Sequence, residues 1–185
     1  MRNLIIAIAA FVVASGASAV EVAGVTIDDK ASVAGQELVL NGAGMRTKVF
    51  LKIYIGSLYL PAKAGDLSGV LAKGPRRIQL NVMRSLTADQ LVDALVDGLK
   101  DNNSADELAA VKSQTAELVA TMKAFNDVKE KDVVTLDFVD GATKIGLNGA
   151  AKGSIAGEAF NRALTKVWLG DHPVQADLKK AMLGG

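Results

Sequence analysis

The order in which strand and helix patterns follow one another is the feature of this sequence that most constrains its fold. Strand-like segments come first, at 22–27, 33–40, 45–60 and 76–84. Two helices with clear start signals follow, and a hairpin and further helices complete the chain. This segregation predicts an α+β fold with an antiparallel sheet, because a parallel sheet would need strands and helices to alternate.

The segment 45–60 is predicted to form a single long strand. Its odd positions within 49–55 are all apolar and are expected to face the core. Its even positions include Arg46 and Tyr54, which places both on a mixed face that looks toward solvent or a cleft. The preceding sequence 41–44, Asn-Gly-Ala-Gly, is predicted to form a flexible corner.

Two capping-box patterns mark the starts of the first helices. Thr87 is followed by Gln90, and Ser104 by Glu107, so in each pair the side chains can bond reciprocally to the backbone of the first turn. Thr87 opens a helix with a leucine stripe, and Ser104 opens a second helix that extends to Phe125. The short connection between them predicts that the two helices pack as an antiparallel pair.

The last third of the chain combines a hairpin with two helices. The dipeptide 140–141, Asp-Gly, predicts a tight turn between strands at 133–139 and 143–147. A third helix is predicted at 157–169 and a short fourth helix at 174–183. The apolar stripe of the third helix consists of Phe160, Leu164 and Trp168.

The N-terminal residues have the three parts of a cleavable signal peptide. Arg2 supplies a positive charge, residues 4–13 form an apolar run, and 17–19 is an Ala-Ser-Ala cleavage signal. The apolar run is too short to span a bilayer, which needs roughly 20 residues, and no stable membrane anchor is expected. The sequence therefore predicts a signal peptide at 1–19, a single domain at 20–185, and a periplasmic or secreted location.

The composition argues against several classes of function. The chain has 21 basic and 20 acidic residues, whereas nucleic-acid binding normally requires a basic excess. It has no cysteine and one histidine, His172, so the usual zinc ligand sets and a Ser-His-Asp triad have no support. No phosphate-loop or dinucleotide fingerprint occurs before a helix. We therefore expect no metal, no cofactor and no nucleic-acid partner.

Arg46 and Tyr54 are the strongest candidates for a binding role. Arginine pairs bidentately with a carboxylate, and tyrosine adds a hydroxyl donor on an apolar ring. The competing interpretation is a solvated arginine and a half-buried tyrosine. On one straight strand, eight residue steps of about 3.3 Å would separate the two by roughly 26 Å. They can share one head group only if a bulge or a hairpin bends the chain near 47–50.

Several motifs resemble the chalcone isomerase-like superfamily. The stretch 42–48, GAGMRTK, is followed by 52–60, KIYIGSLYL, and together they resemble the signature of that superfamily. The C-terminal motifs between 157 and 180 resemble the ending of its bacterial secreted members. The resemblance implies a large antiparallel sheet covered on one face by a layer of helices, with a ligand cleft between them.

The resemblance also implies two different functions. Plant members include the isomerase that cyclises chalcones to flavanones, whereas other members bind fatty acids through the motif arginine and a tyrosine. Arg46 matches the arginine that both groups share, and Tyr54 is similar to the tyrosine of the fatty-acid binders. The helix Tyr and Asn of the isomerase correspond here to Leu91 and Gly98, which argues against chalcone cyclisation.

Our leading hypothesis is a non-catalytic binding protein for a small amphipathic carboxylate, such as a fatty acid. Its ligand-binding residues would be Arg46, Tyr54 and Thr87, with no catalytic residue. The alternatives are an isomerase or intramolecular lyase of the chalcone isomerase type, and a structural or interaction protein with a vestigial cleft. The sequence leaves the oligomeric state open.

Overall fold

The strands form a curled antiparallel sheet with a small separate ribbon. A computed structural model describes residues 19–72 and 74–185. The ribbon pairs β1 (Ala19–Val22) with β2 (Val25–Asp28). In the seven-stranded sheet each strand is antiparallel to the next in chain order. Its strands are β3 (Lys30–Val33), β4 (Gln36–Lys48), β5 (Leu51–Leu60), β6 (Arg76–Val82), β7 (Val133–Val139), β8 (Ala142–Leu147) and β9 (Ala150–Ala156).

The predicted signal peptide, residues 1–19, lies outside the described residues except for Ala19, which begins β1. Cleavage and secretion therefore stay predictions.

The helices pack on one face of the sheet. They are α1 (Leu67–Val70), α2 (Ala88–Asn102), α3 (Ala105–Ala110), α4 (Lys112–Lys123), α5 (Glu158–Leu169) and α6 (Ala176–Met182). Within 19–72 and 74–185, none of them has the length and apolar character needed to cross a bilayer.

Two hydrophobic clusters bury the two faces of the sheet. The larger cluster lies between sheet and helices, where Leu58 and Ile78 pack in the same core as Leu164 and Trp168. The smaller cluster lies under the β1–β2 ribbon on the opposite face and includes Tyr59. Each fully buried side chain of this size stabilises the fold by about 1.5–3 kcal/mol. The predicted α+β class, with helices covering one sheet face, is confirmed.

The clearest local patterns are also confirmed. Strand β6 buries Ile78, Leu80 and Val82 and leaves the residues between them partly exposed. Both capping boxes are formed: the Thr87 hydroxyl accepts a hydrogen bond from the Gln90 backbone N–H at 3.1 Å, and the Ser104 box has the same arrangement. Reciprocal side-chain and backbone bonds thus fix the starts of α2 and α3.

The predicted second helix, from Ser104 to Phe125, is divided into α3 and α4. The division occurs at Val111, whose backbone (φ −111°, ψ 16°) lies outside the helical region and whose side chain is buried. Valine is a weak helix former, so little helix propensity is lost by ending the helix at this residue.

The strand predictions were incomplete near both ends of the chain. The segment 22–27 is not one strand, because a two-residue turn at Ala23–Gly24 separates β1 from β2. Strand β9 was missed altogether, although Asn148–Gly149 before it is a strong hairpin signal. Its composition of Ala, Gly, Ser and Lys has low strand propensity and hides it from pattern analysis.

The predicted flexible corner at 41–44 is wrong, because these residues lie inside β4. The Asn41 side chain is buried in a β-bulge and donates to the carbonyl oxygens of Ala64 and Met182 at 2.9 and 2.8 Å. A Cβ on Gly42 would overlap the carbonyl oxygen of Ala181 in α6. The absence of a side chain at Gly42 therefore permits α6 to approach the sheet closely.

We predict that Gly42→Ala destabilises the protein by about 1–3 kcal/mol, because the added methyl group must displace backbone rather than a flexible side chain. Urea unfolding followed by circular dichroism measures the change. Gly65→Ala is the matched control, since a Cβ at Gly65 meets no atom within 4 Å. Equal stability of the two variants would contradict the close packing of α6 on β4.

Candidate functional site

A hairpin places Arg46 and Tyr54 side by side. The predicted single strand at 45–60 is two strands, with Val49 and Phe50 as the turn between β4 and β5. A regular hairpin with this turn would pair Arg46 with Ile53. A bulge shifts the register by one residue, so Arg46 pairs directly with Tyr54.

Directly paired residues in an antiparallel sheet point to the same face, so both side chains can act on one ligand group. The bend that a shared site requires is therefore present. The expectation that the odd positions within 49–55 face the core is wrong for Val49 and Leu51, both of which are exposed, and is confirmed for Ile53 and Ile55, which are buried.

Arg46 has an unsatisfied buried donor. Its Nη1 atom is buried and has no hydrogen-bond partner among the described residues. The guanidinium lies over the Tyr54 ring, with Cζ 5.8 Å from the ring centroid, which is within the range of a cation–π interaction. A buried N–H without a partner costs free energy, and an anionic acceptor in the adjoining cleft would remove that cost.

The backbone on both sides of Arg46 is held by Gln175, which immediately precedes α6. The Thr47 backbone N–H donates to Gln175 Oε1 at 2.8 Å, and Gln175 Nε2 donates to the Met45 carbonyl oxygen at 3.3 Å. These two bonds fix the strand segment that presents the guanidinium to the cleft.

Tyr54 is buried, with an exposed fraction of 6%, and its hydroxyl is oriented by Trp168. The Trp168 Nε1–H donates to Tyr54 Oη at 2.9 Å. Because indole is only a donor, the phenol oxygen is the acceptor and its own proton remains available for another group. Burial raises the pKa of Tyr54 above its usual range, although the positive charge of Arg46 opposes this shift. Tyr54 therefore remains a protonated donor at neutral pH.

Arg46 and Tyr54 line a cleft of about 770 Å³ between the hairpin, α2 and α5. Its wall has an apolar part, formed by Ile53, Leu80, Leu86, Leu91, Leu95 and Val167. Charged residues of both signs also line it: Lys48 and Arg84 on the strand side, and Asp93, Asp97 and Asp101 on α2. A pair of hydrogen-bond donors beside an apolar wall is suited to an amphipathic anion.

Leu91 and Gly98, the positions that the family resemblance predicts to match the isomerase Tyr and Asn, both line this cleft. Leu91 contributes an apolar side chain to it. At Gly98 a Cβ would lie 2.7 Å from Cγ1 of Val167, so an asparagine would require Val167 to move. This part of the cleft is therefore apolar and closely packed.

Thr87, the third predicted ligand-binding residue, has its hydroxyl engaged in a helix cap. It is exposed at the N-cap of α2, where its hydroxyl accepts the Gln90 N–H, and it is not among the residues that line the cleft. His172 is exposed and is one of the residues that line the cleft. Its backbone N–H donates to Asn102 Oδ1 at 2.9 Å. Within the described residues, no group of three or more His, Cys, Asp or Glu side chains is arranged to hold a metal ion.

A second cavity, of about 540 Å³, contains another buried arginine. Arg76 stacks on Phe138, with Cζ 4.6 Å from the ring centroid, and its Nε donates to Thr165 Oγ1 at 3.2 Å. Burial lowers the pKa of Arg76 to about 10. Asp140 and Glu158 also line this cavity. Unlike the main cleft, it does not combine the guanidinium with an oriented tyrosine hydroxyl.

The fold and the cleft define an α+β protein with a binding cleft between its sheet and its helices. A sequence profile described as chalcone isomerase-like matches residues 19–184, and the chain belongs to this family. Among solved structures, it is similar to the crystal structure of the Arabidopsis thaliana fatty-acid binding protein AtFAP1, with a TM-score of 0.65 and 12% sequence identity. The match covers 86% of this chain and 92% of that chain. No curated protein matches the sequence.

The two residues that support the donor pair have no functional signal in the sequence. The apolar stripe predicts Trp168 only as a core residue, and no pattern indicates a role for Gln175. Trp168 is 114 positions from Tyr54, and Gln175 is 128 from Thr47, so no local pattern could have indicated either contact.

We predict that Tyr54 and Tyr59, the only tyrosines of the chain, both resist ionisation in the native state. Burial raises the pKa of both phenols, that of Tyr59 to about 12. The stability linked to their raised pKa values is complete below about pH 10, where tyrosine ionises in the unfolded chain, and is lost as the pH rises through the raised values, which for Tyr59 is about 12. Ultraviolet difference absorbance measures tyrosinate directly. Ionisation of either tyrosine near pH 10 with retained circular dichroism would contradict the burial described.

Proposed function

We propose that this protein is a non-catalytic binding protein for a small amphipathic carboxylate, most simply a fatty acid. The carboxylate accepts hydrogen bonds from Arg46 and from the hydroxyl of Tyr54. The apolar tail lies along the cleft between the sheet and the helices. We also propose that the chain is one of the bacterial secreted members of the family and acts in the periplasm.

The observation that carries this proposal is the pair of unused donors at one position. Arg46 Nη1 is buried and has no partner among the described residues, and the Tyr54 hydroxyl accepts from Trp168 with its own proton still available. Donors in this arrangement match the two oxygens of a carboxylate. The fatty-acid binding protein that shares the fold supports the same ligand class.

We predict that Arg46→Met weakens fatty-acid binding by about ten- to a hundredfold. Loss of a charge-assisted hydrogen bond in a buried site corresponds to about 1.5–3 kcal/mol. Tyr54→Phe removes a neutral donor and is expected to weaken binding by about two- to tenfold. Titration calorimetry with palmitate measures both effects, and native mass spectrometry of the protein purified from its host identifies the ligand carried from the cell.

The matched control is Arg162→Met, which removes an exposed arginine paired with Glu158 at 3.5 Å and located outside the main cleft. It should leave palmitate affinity within about twofold. Equal affinities of the Arg46→Met and wild-type proteins would refute the proposed head-group site. Turnover of a chalcone that depends on Arg46 would favour the isomerase alternative instead.

The location is tested separately. We predict that the protein recovered from the periplasm of a bacterial host begins at Val20, because 17–19 is the cleavage signal. Intact-mass measurement gives the N terminus. Recovery of the uncleaved chain from the cytoplasm would contradict the predicted location without affecting the ligand site.

A further inference from the structure

The tip of the β4–β5 hairpin exposes three consecutive large hydrophobic residues. Val49 is 79% exposed, Phe50 99% and Leu51 44%. The other exposed large hydrophobic residue among those described is Val20. Single exposed apolar side chains are ordinary, whereas a contiguous apolar group marks an interaction surface. We call residues 48–52 the hairpin tip.

The backbone of the turn provides an independent observation. Val49 and Phe50 have φ values of 48° and 65°, the left-handed region that a type I′ turn requires at both positions. This region is strongly unfavourable for a β-branched residue and suits Asn-Gly best. The other two-residue hairpin turns in the described part of the chain all have glycine second: Ala23–Gly24, Ala34–Gly35, Asp140–Gly141 and Asn148–Gly149.

Val49 and Phe50 therefore occupy a turn whose left-handed backbone conformation disfavours both residue types. Strain of this kind persists where the residues serve a purpose other than stability. The strained turn and the exposed hydrophobic residues coincide at Val49 and Phe50, so one function can account for both features.

The charges around the tip indicate its partner. Lys48 and Lys52 flank the apolar residues, are exposed, and form no ion pair with other described residues. Apolar side chains between exposed lysines match the interface of a bilayer that contains anionic phospholipid. The aspartates that line the cleft belong to α2, on the opposite wall, and such a surface would repel them.

The tip also lies at the cleft. Lys48, Val49 and Leu51 are among its lining residues. Arg46 is three residues from Val49, about 10 Å along the strand. A carboxylate bound at Arg46 would therefore lie close to the head-group level of a membrane that contacts the tip.

We propose that the hairpin tip is a membrane-binding site that inserts Val49 and Phe50 reversibly into the interface of an anionic phospholipid bilayer. Docking in this orientation places only the hairpin side of the cleft, where Arg46 lies, at the lipid surface, so that an amphipathic carboxylate can pass between bilayer and cleft. The transfer step rests on the proposed function, whereas membrane binding by the tip does not.

The test uses flotation with phosphatidylcholine vesicles and with equimolar phosphatidylcholine–phosphatidylglycerol vesicles. All proteins are purified after secretion and carry the same N terminus. The wild type should bind the anionic vesicles, and Val49→Asn combined with Phe50→Gly should weaken binding by at least about tenfold. Because Asn-Gly suits a type I′ turn, this variant should unfold at the same or a higher temperature. Loss of vesicle binding cannot then be attributed to misfolding.

Two further variants separate the contributions. Lys48→Ser combined with Lys52→Ser should reduce binding to anionic vesicles by about fivefold per lysine and should not alter binding to neutral vesicles. Arg46→Met should bind anionic vesicles as the wild type does while binding palmitate about ten- to a hundredfold more weakly. Failure of the palmitate site and failure of the membrane site thus give different results.

Three outcomes would overturn the proposal. The first is failure of the wild type to float with anionic vesicles, and the second is equal flotation of the Val49→Asn, Phe50→Gly variant. In the third outcome, sedimentation equilibrium would show a dimer that this variant dissociates, which would identify a second copy of the chain as the occupant of the tip.

Discussion

The pairing of β4 with β5 is the constraint on which the rest of the structure depends. This pairing contains two bulges, and each determines one essential contact. At Asn41 the extra residue on β4 is buried, and its amide bonds to Ala64 and Met182 attach α6 to the sheet. At Ile53 the extra residue on β5 shifts the register so that Tyr54, and not Ile53, lies beside Arg46. A regular ladder would have neither the helix attachment nor the donor pair.

The parts of the fold that were predictable from sequence are those determined by neighbouring residues. The alternation in β6 and the capping boxes at Thr87 and Ser104 depend on contacts within a few positions, and all were confirmed. The β4–β5 turn was not predictable, because Val-Phe carries none of the chemistry that marks a turn. The sequence at 41–44 does carry turn-like residues, but it forms part of a strand. Gly42 lies in that strand and permits α6 to pack closely on it, and a local pattern cannot distinguish this role from a flexible corner.

The candidate site was predictable only as two side chains. Arg46 and Tyr54 were identified by their chemistry and by the family resemblance, and geometry required a bend between them. What makes them a site is supplied from distant parts of the chain, by Trp168 on α5 and by Gln175 before α6. Such contacts follow from the tertiary fold and have no local signal. Thr87 does not line the cleft, and its hydroxyl caps the start of α2.

The β4–β5 hairpin combines a rigid strand segment, which carries Arg46, with a strained and exposed apolar tip. A binding site needs rigid strands, and here the cross-strand pair, the bulge and the Gln175 bonds fix the segment that carries Arg46. An exposed apolar tip reduces solubility, and left-handed φ values at Val49 and Phe50 cost about 1–3 kcal/mol each. Because Lys48, Val49 and Leu51 line the same cleft as Arg46, whatever binds the tip also lies beside the part of the cleft that contains Arg46. Positive charge at the tip and negative charge from the aspartates of α2 therefore lie on different sides of the cleft. A negatively charged surface would therefore attract the hairpin side of the cleft and repel the α2 side.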